Sequence, residues 1–81
     1  MSKQQTKPIT TIAADIKFKR KSKMYSQQQL AMKIGVDKTT ISAWERDIRF
    51  PKEEHLVQIS ECLGLPLMDL LKVSKNRKSV G

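Results

Sequence analysis

A serine, a glutamine three residues on and a glycine six beyond that set tight limits on the segment SQQQLAMKIGVD, residues 26–37. Ser26 is a good helix N-cap, and Gln29 completes an S-x-x-Q capping box, in which two otherwise orphaned backbone amides are satisfied reciprocally. Leu30, Ala31 and Ile34 then share one helical face. Gly35 suits a left-handed helix end, a conformation that side chains with a Cβ adopt only at a cost. Val36 plugs the turn and Asp37 is placed to cap a following helix over about residues 38–46. Two short helices are therefore joined by three or four residues centred on Gly35.

That spacing is the helix-turn-helix arrangement. Its second helix, KTTISAWER, has only two large apolar residues, Ile41 and Trp44, three apart. Nearly everything around them is small or polar. A segment built this way anchors along one edge and leaves a flat face, kept free for something other than solvent.

The charge pattern points to what that something is. The chain has 81 residues and a net charge of +8. Residues 1–25 carry seven Lys/Arg against Asp15, residues 26–71 carry five basic and seven acidic residues, and residues 72–81 carry four basic residues and no acid. A near-neutral body between two basic arms favours a polyanionic partner, nucleic acid before membrane. The cluster KFKRKSK also has the composition of a nuclear-localisation or membrane-surface patch, and each lysine in it is equally consistent with plain solvation. No apolar run approaches the ~20 residues of a membrane span, and MSKQQTKPITT lacks a signal-peptide core. The single cysteine, Cys62, cannot form an internal disulfide and fits a reducing cytosol.

The remaining segments read as further helices around one small core, and no strand signal or repeat appears. Residues 1–8 form a flexible arm closed by Pro8, ahead of a domain spanning 9–72. Ile9, Ile12, Ala13 and Ile16 make a helical stripe that Arg20 continues, with Thr10 or Thr11 able to cap it. Phe18 lies about 200° from Ile16 at about 100° per residue, off that stripe. Asp47 stands where the chain must leave the third helix, and Asp tolerates positive φ. A fourth helix runs from about Lys52 to Leu63, with Leu56, Ile59, Ser60 and Leu63 inward, and Gly64 ends it. A short fifth helix follows Pro66, from Leu67 to about Lys72, and residues 73–81 read as a disordered basic tail.

The residues IKFKRKSKMYSQQQLAMKIGVDKTTISAWERD, then Pro51, then LVQISECLGLPLMDLL closely resemble the phage-repressor type of helix-turn-helix family, the lambda- and Cro-like group also called Xre-like. The resemblance covers roughly residues 12–71. It implies an all-α, five-helix bundle that binds operator DNA, usually as a homodimer, as a cytoplasmic regulator encoded by a bacterium, phage or plasmid. The helix from Lys38 to Arg46 would enter the major groove. Lys38, Thr39, Ser42 and Ala43 would form its slim outer face toward base edges, because bulk there would hold the backbone away from the bases. Ser26, Gln27, Arg46, Arg49 and Lys52 would contact phosphates, with Gln27 also bracing a side chain of the recognition helix. Arg20 and Glu45 would form a buried ion pair; Leu67 and Met68, near the fifth helix, are the candidate dimer contacts, with Phe18 a second candidate.

Three positions depart from the family pattern. Met24 stands where a glycine often ends the first helix, Lys19 occupies a position frequently apolar, and Lys52 replaces the usual Ser/Thr cap of the fourth helix.

Other chemistries find little support. His55 and Cys62 are seven apart with no second cysteine or histidine, whereas a zinc site needs about four ligands. Ser26, Ser42 and Ser60 share that one histidine, so no catalytic arrangement is assembled, and no cofactor or small-molecule ligand is indicated. Trp44 reads as core, and Cys62 as an inert, half-buried thiol. The alternative to an operator-binding repressor is an antitoxin or restriction-modification controller, whose DNA binding is autoregulatory and coupled to a protein partner. A third reading is a non-specific binder working by charge alone, which would not need a slim outer face on the third helix.

Overall fold

A computed structural model describes the backbone of residues 12–80 and the side chains of residues 12–74. The expected arm at 1–8, Ile9 and the cap at Thr10 or Thr11 lie outside the described residues. Five helices follow one another: α1 Ile12–Ser22, α2 Gln27–Ile34, α3 Lys38–Glu45, α4 Glu53–Leu63 and α5 Leu67–Val80. Among the described residues there is no strand, and no helix is long and apolar enough to cross a membrane.

The core is made where the apolar stripes meet. Ile16 from α1, Leu30 from α2, Ile41 from α3 and Leu56, Ile59 and Leu63 from α4 are all fully buried. Each such side chain contributes about 1.5–3 kcal/mol when removed from water. Helix α3 packs against α2 and α1, while α4 packs against α2, α1 and α5. The recognition-type pair α2–α3 is thus backed by α1 and α4, and Trp44 is buried with Ile41 beneath it.

The turns follow from particular residues. Gly64 ends α4 with φ 75°, and the Ser60 hydroxyl donates to the Leu65 carbonyl at 2.6 Å, tying the α4–α5 turn down. Asp47 takes φ 58° as the chain leaves α3. Met24 takes φ 64°, so the α1–α2 turn keeps the left-handed residue that a glycine would supply, at a side chain 86% exposed.

Two expectations are corrected. Helix α5 continues to Val80 instead of stopping near Lys72, so residues 73–80 are helical where a disordered tail was expected. No glycine or proline interrupts that stretch before Gly81, and Ser74 on its inner side is buried. Asp37 stands at the N-cap of α3 but makes no side-chain cap bond. The amide such a bond would use, that of Thr40, already donates to the Asp37 carbonyl at 2.9 Å.

Candidate nucleic-acid interface

The start of α2 is built by the capping box. The Gln29 amide donates to Ser26 Oγ at 2.9 Å and the Ser26 amide donates to Gln29 Oε1 at 2.8 Å. Ser26 is exposed and Gln27 half-buried at this helix start. At the other end Gly35 takes φ 88°, and its amide and that of Val36 both donate to the Ala31 carbonyl. A Cβ on Gly35 would meet nothing within 4 Å, so the backbone angle and not space demands glycine there.

Helix α3 then presents its outer side. Lys38 and Thr39 are exposed, whereas Ser42 and Ala43 are only half exposed, so the face is widest toward the N-terminus of the helix. Arg46, at the C-cap, is exposed, as are Arg49 and Lys52. The loop carrying Arg49 is held by the end of α3. The amides of Ile48 and Arg49 both donate to the Ala43 carbonyl, at 2.9 and 3.3 Å.

A buried polar network locks α3 to the first two helices. Arg20 Nε donates to Glu45 Oε2 at 2.6 Å and Nη2 to Oε1 at 3.1 Å, with the two side chains 9% and 3% exposed. Arg20 Nη1 also donates to the Tyr25 carbonyl at 2.8 Å. Gln27 Nε2 donates to Glu45 Oε1 at 3.1 Å, so the side chain that Gln27 braces on α3 is Glu45. One carboxylate therefore fixes both the angle of α3 and the position of Gln27.

Two borders flank the outer side of α3. At about 100° per residue, Glu45 lies about 20° beyond Lys38 on one edge, and Thr40 about 60° beyond Ala43 on the other. Gln27 is tied to the first edge through Glu45. Beside Thr40 at the second edge opens a cleft of about 330 Å³ whose lining includes Trp44, Arg49, Lys52 and His55. The structure thus brings Arg49 and Lys52 to one side and Gln27 to the other. Thr40 was not singled out by sequence reading, and His55 was weighed there only as a metal ligand or catalytic base, because a cleft closed by residues from separate helices has no local signal.

Leu67 is half-buried and packs against the core, so of the two residues expected at a dimer contact only Met68, 69% exposed, offers a free side chain. Phe18 is 70% exposed. Cys62 is a free, half-buried thiol packed against the core. Among the described residues no three metal-ligating side chains come together.

The helix-turn-helix family profile matches residues 16–70, the stretch that holds α2, α3 and their supports. The chain belongs to the helix-turn-helix family. A relative from Bacillus subtilis strain 168, described as the uncharacterized HTH-type transcriptional regulator YqaE, is 36% identical over 64 residues. That alignment takes in 79% of this chain, which spans 55% of the relative's length. Among solved structures, the P22 c2 repressor in complex with a synthetic operator is similar with a TM-score of 0.72 and 29% identity, over 76% of this chain and 94% of that one. SinR, the master regulator for biofilm formation, in complex with DNA, is similar with a TM-score of 0.67 and 37% identity, over 75% of this chain and 98% of that one. Family and fold are those of transcriptional regulators, not of enzymes.

Proposed function

We propose that this helix-turn-helix protein is a sequence-specific, double-stranded-DNA-binding transcriptional regulator of the repressor type, acting as a homodimer on a palindromic operator. The observation that carries the reading is the placement of α3. It is anchored by buried Ile41 and Trp44, braced by the Arg20–Glu45–Gln27 network, and left with a thin outer side of Lys38, Thr39, Ser42 and Ala43. The likeness to the P22 c2 repressor and SinR, both solved with DNA, supports the same reading.

In this reading α3 lies in the major groove. Lys38 donates to a guanine edge, while Thr39, Ser42 and Ala43 meet base edges or a thymine methyl. Ser26, Gln27, Arg46, Arg49 and Lys52 hold phosphates, which set register without reading sequence. Two copies pair through the exposed surface around Met68, beside the half-buried Leu67, placing their recognition helices about 34 Å apart, one turn of duplex. The protein works at chromosomal or phage DNA in the cytoplasm. Selection of bound duplexes from a random pool tests the function. Enrichment of one motif with two-fold symmetry is expected. A bound pool without a shared motif would reduce the protein to a non-specific binder, and an asymmetric motif would remove the dimer.

A further inference from the structure

We propose that the cleft between α3 and α4 seats one phosphate of the DNA backbone and that His55 is a protonatable donor to it, so that operator binding takes up a proton. The inference rests on the DNA-binding reading above and adds a residue that a count of lysines and arginines passes over.

The chemistry of the cleft is that of a compact anion's seat. Arg49 and Lys52 supply two cations, Thr40 a hydroxyl and His55 an imidazole, over the aromatic surfaces of Trp44 and Phe50. No carboxylate lines it. Its place on the molecule narrows the anion to backbone phosphate. The cleft opens beside Thr40, on the edge of α3 opposite the one where Gln27 is tied to Glu45. A helix lying in a groove about 12 Å wide has a sugar–phosphate strand along each side. Gln27 and the cleft therefore address the two different strands.

His55 is held in place for such a contact. It is half-buried in the first turn of α4, its amide donating to the Lys52 carbonyl at 2.9 Å. Its ring centroid is 5.3 Å from that of buried Trp44 at an interplanar angle of 49°. An imidazolium against an indole gains a cation–π attraction as well. The charged groups facing it from the α3–α4 loop and the start of α4 are Arg49 and Lys52, while Val36 from the α2–α3 turn and Thr40 and Trp44 from α3 carry no charge. On its own helix Glu53 and Glu54 are exposed and do not line the cleft. A third positive charge beside two others is favourable only when an anion is present, so protonation and phosphate binding reinforce one another. Imidazole is the side chain that ordinarily changes charge between about pH 5 and 8, and the chain has one histidine.

The test is an anisotropy titration of the full chain with a fluorescein-labelled duplex enriched from the random pool, at about pH 6 and about pH 8 and fixed salt. Wild type should bind about fivefold tighter at the lower pH, the difference between a charge-assisted and a neutral hydrogen bond. His55→Gln should bind equally at both, near the weaker wild-type value. His55→Lys, which keeps a charged donor, should bind equally at both near the tighter value, and it carries the test if the glutamine variant fails to melt cooperatively. Replacing one phosphate by a neutral methylphosphonate should flatten the wild-type response at one position in each half-site. Binding that is the same at both pH values in wild type, or a pH response that survives His55→Gln, would overturn the role of His55 while leaving the DNA-binding reading standing. A wild-type protein that binds no duplex at either pH overturns the DNA-binding reading and this inference together.

Discussion

Arg20, near the end of α1, reaches across to Glu45, the last residue of α3, with Nε 2.6 Å from Oε2 and a second bond from Nη2 to Oε1. With both side chains nearly out of solvent, neither charge has water to fall back on. The pair is most informative when broken from one side. Glu45→Gln leaves the Arg20 guanidinium buried against a neutral amide, and the expected loss is ~3–5 kcal/mol of stability by chemical denaturation. Replacing both residues by methionine should recover most of that loss, because no charge is then stranded. A Glu45→Gln protein that unfolds at the same denaturant concentration as wild type would mean that the pair contributes little.

The turn at Met24 predicts an order of stabilities. A residue with a Cβ pays about 1–2 kcal/mol to sit in the left-handed region, and Met24 does so at φ 64° with its side chain almost entirely in solvent. Glycine removes that strain but adds freedom to the unfolded chain, so Met24→Gly should gain only about 0.5 kcal/mol. Met24→Val adds a branched Cβ at the same angle and should lose about 1 kcal/mol. Melting temperatures should rank glycine above methionine above valine. A valine variant as stable as wild type would show that the turn relaxes out of the left-handed region.

Association is expected to depend on Met68 more than on Leu67, since Leu67 is already packed against the core while Met68 stands 69% exposed. Met68→Glu should weaken cooperative binding to a two-half-site duplex by about tenfold, a cost of ~1.4 kcal/mol. Its circular dichroism and its binding to an isolated half-site should stay as in wild type. Unaltered cooperativity would move the contact elsewhere, with Phe18, 70% exposed, as the next surface to substitute.

How far the sequence foretold this arrangement depends on the range of the signal. The capping box of Ser26 and Gln29, the left-handed ends at Gly35 and Gly64 and the positive φ of Asp47 are local, decided by residues within a turn of each other, and they are visible as spacing. The buried stripe through Ile16, Leu30, Ile41 and Leu56 is visible as periodicity. The full length of α5 was not, because its last turns lack the apolar pattern that marks a packed helix. The cleft beside Thr40 was not either. It is closed by residues from the α2–α3 turn, from α3, from the loop and from α4, none of which signals its neighbours in sequence. The resemblance implies that Gln27 braces a side chain of α3, but that the side chain is Glu45, 18 positions away, has no signal in the sequence.

The account turns on α3 reading bases while its flanks hold phosphates, and one set of titrations tests that division. Lys38→Ala and Arg49→Ala are each titrated against the selected duplex and its single-base variants at two salt concentrations. Lys38 is exposed in the first turn of α3, so its loss should cost ~1–3 kcal/mol on the best sequence and relax preference at one or two base pairs. Loss of Arg49, exposed in the loop, should weaken every sequence about equally and make the log–log salt dependence shallower by roughly one unit. A Lys38→Ala protein whose ranking of the variant duplexes is the same as that of wild type would contradict the account.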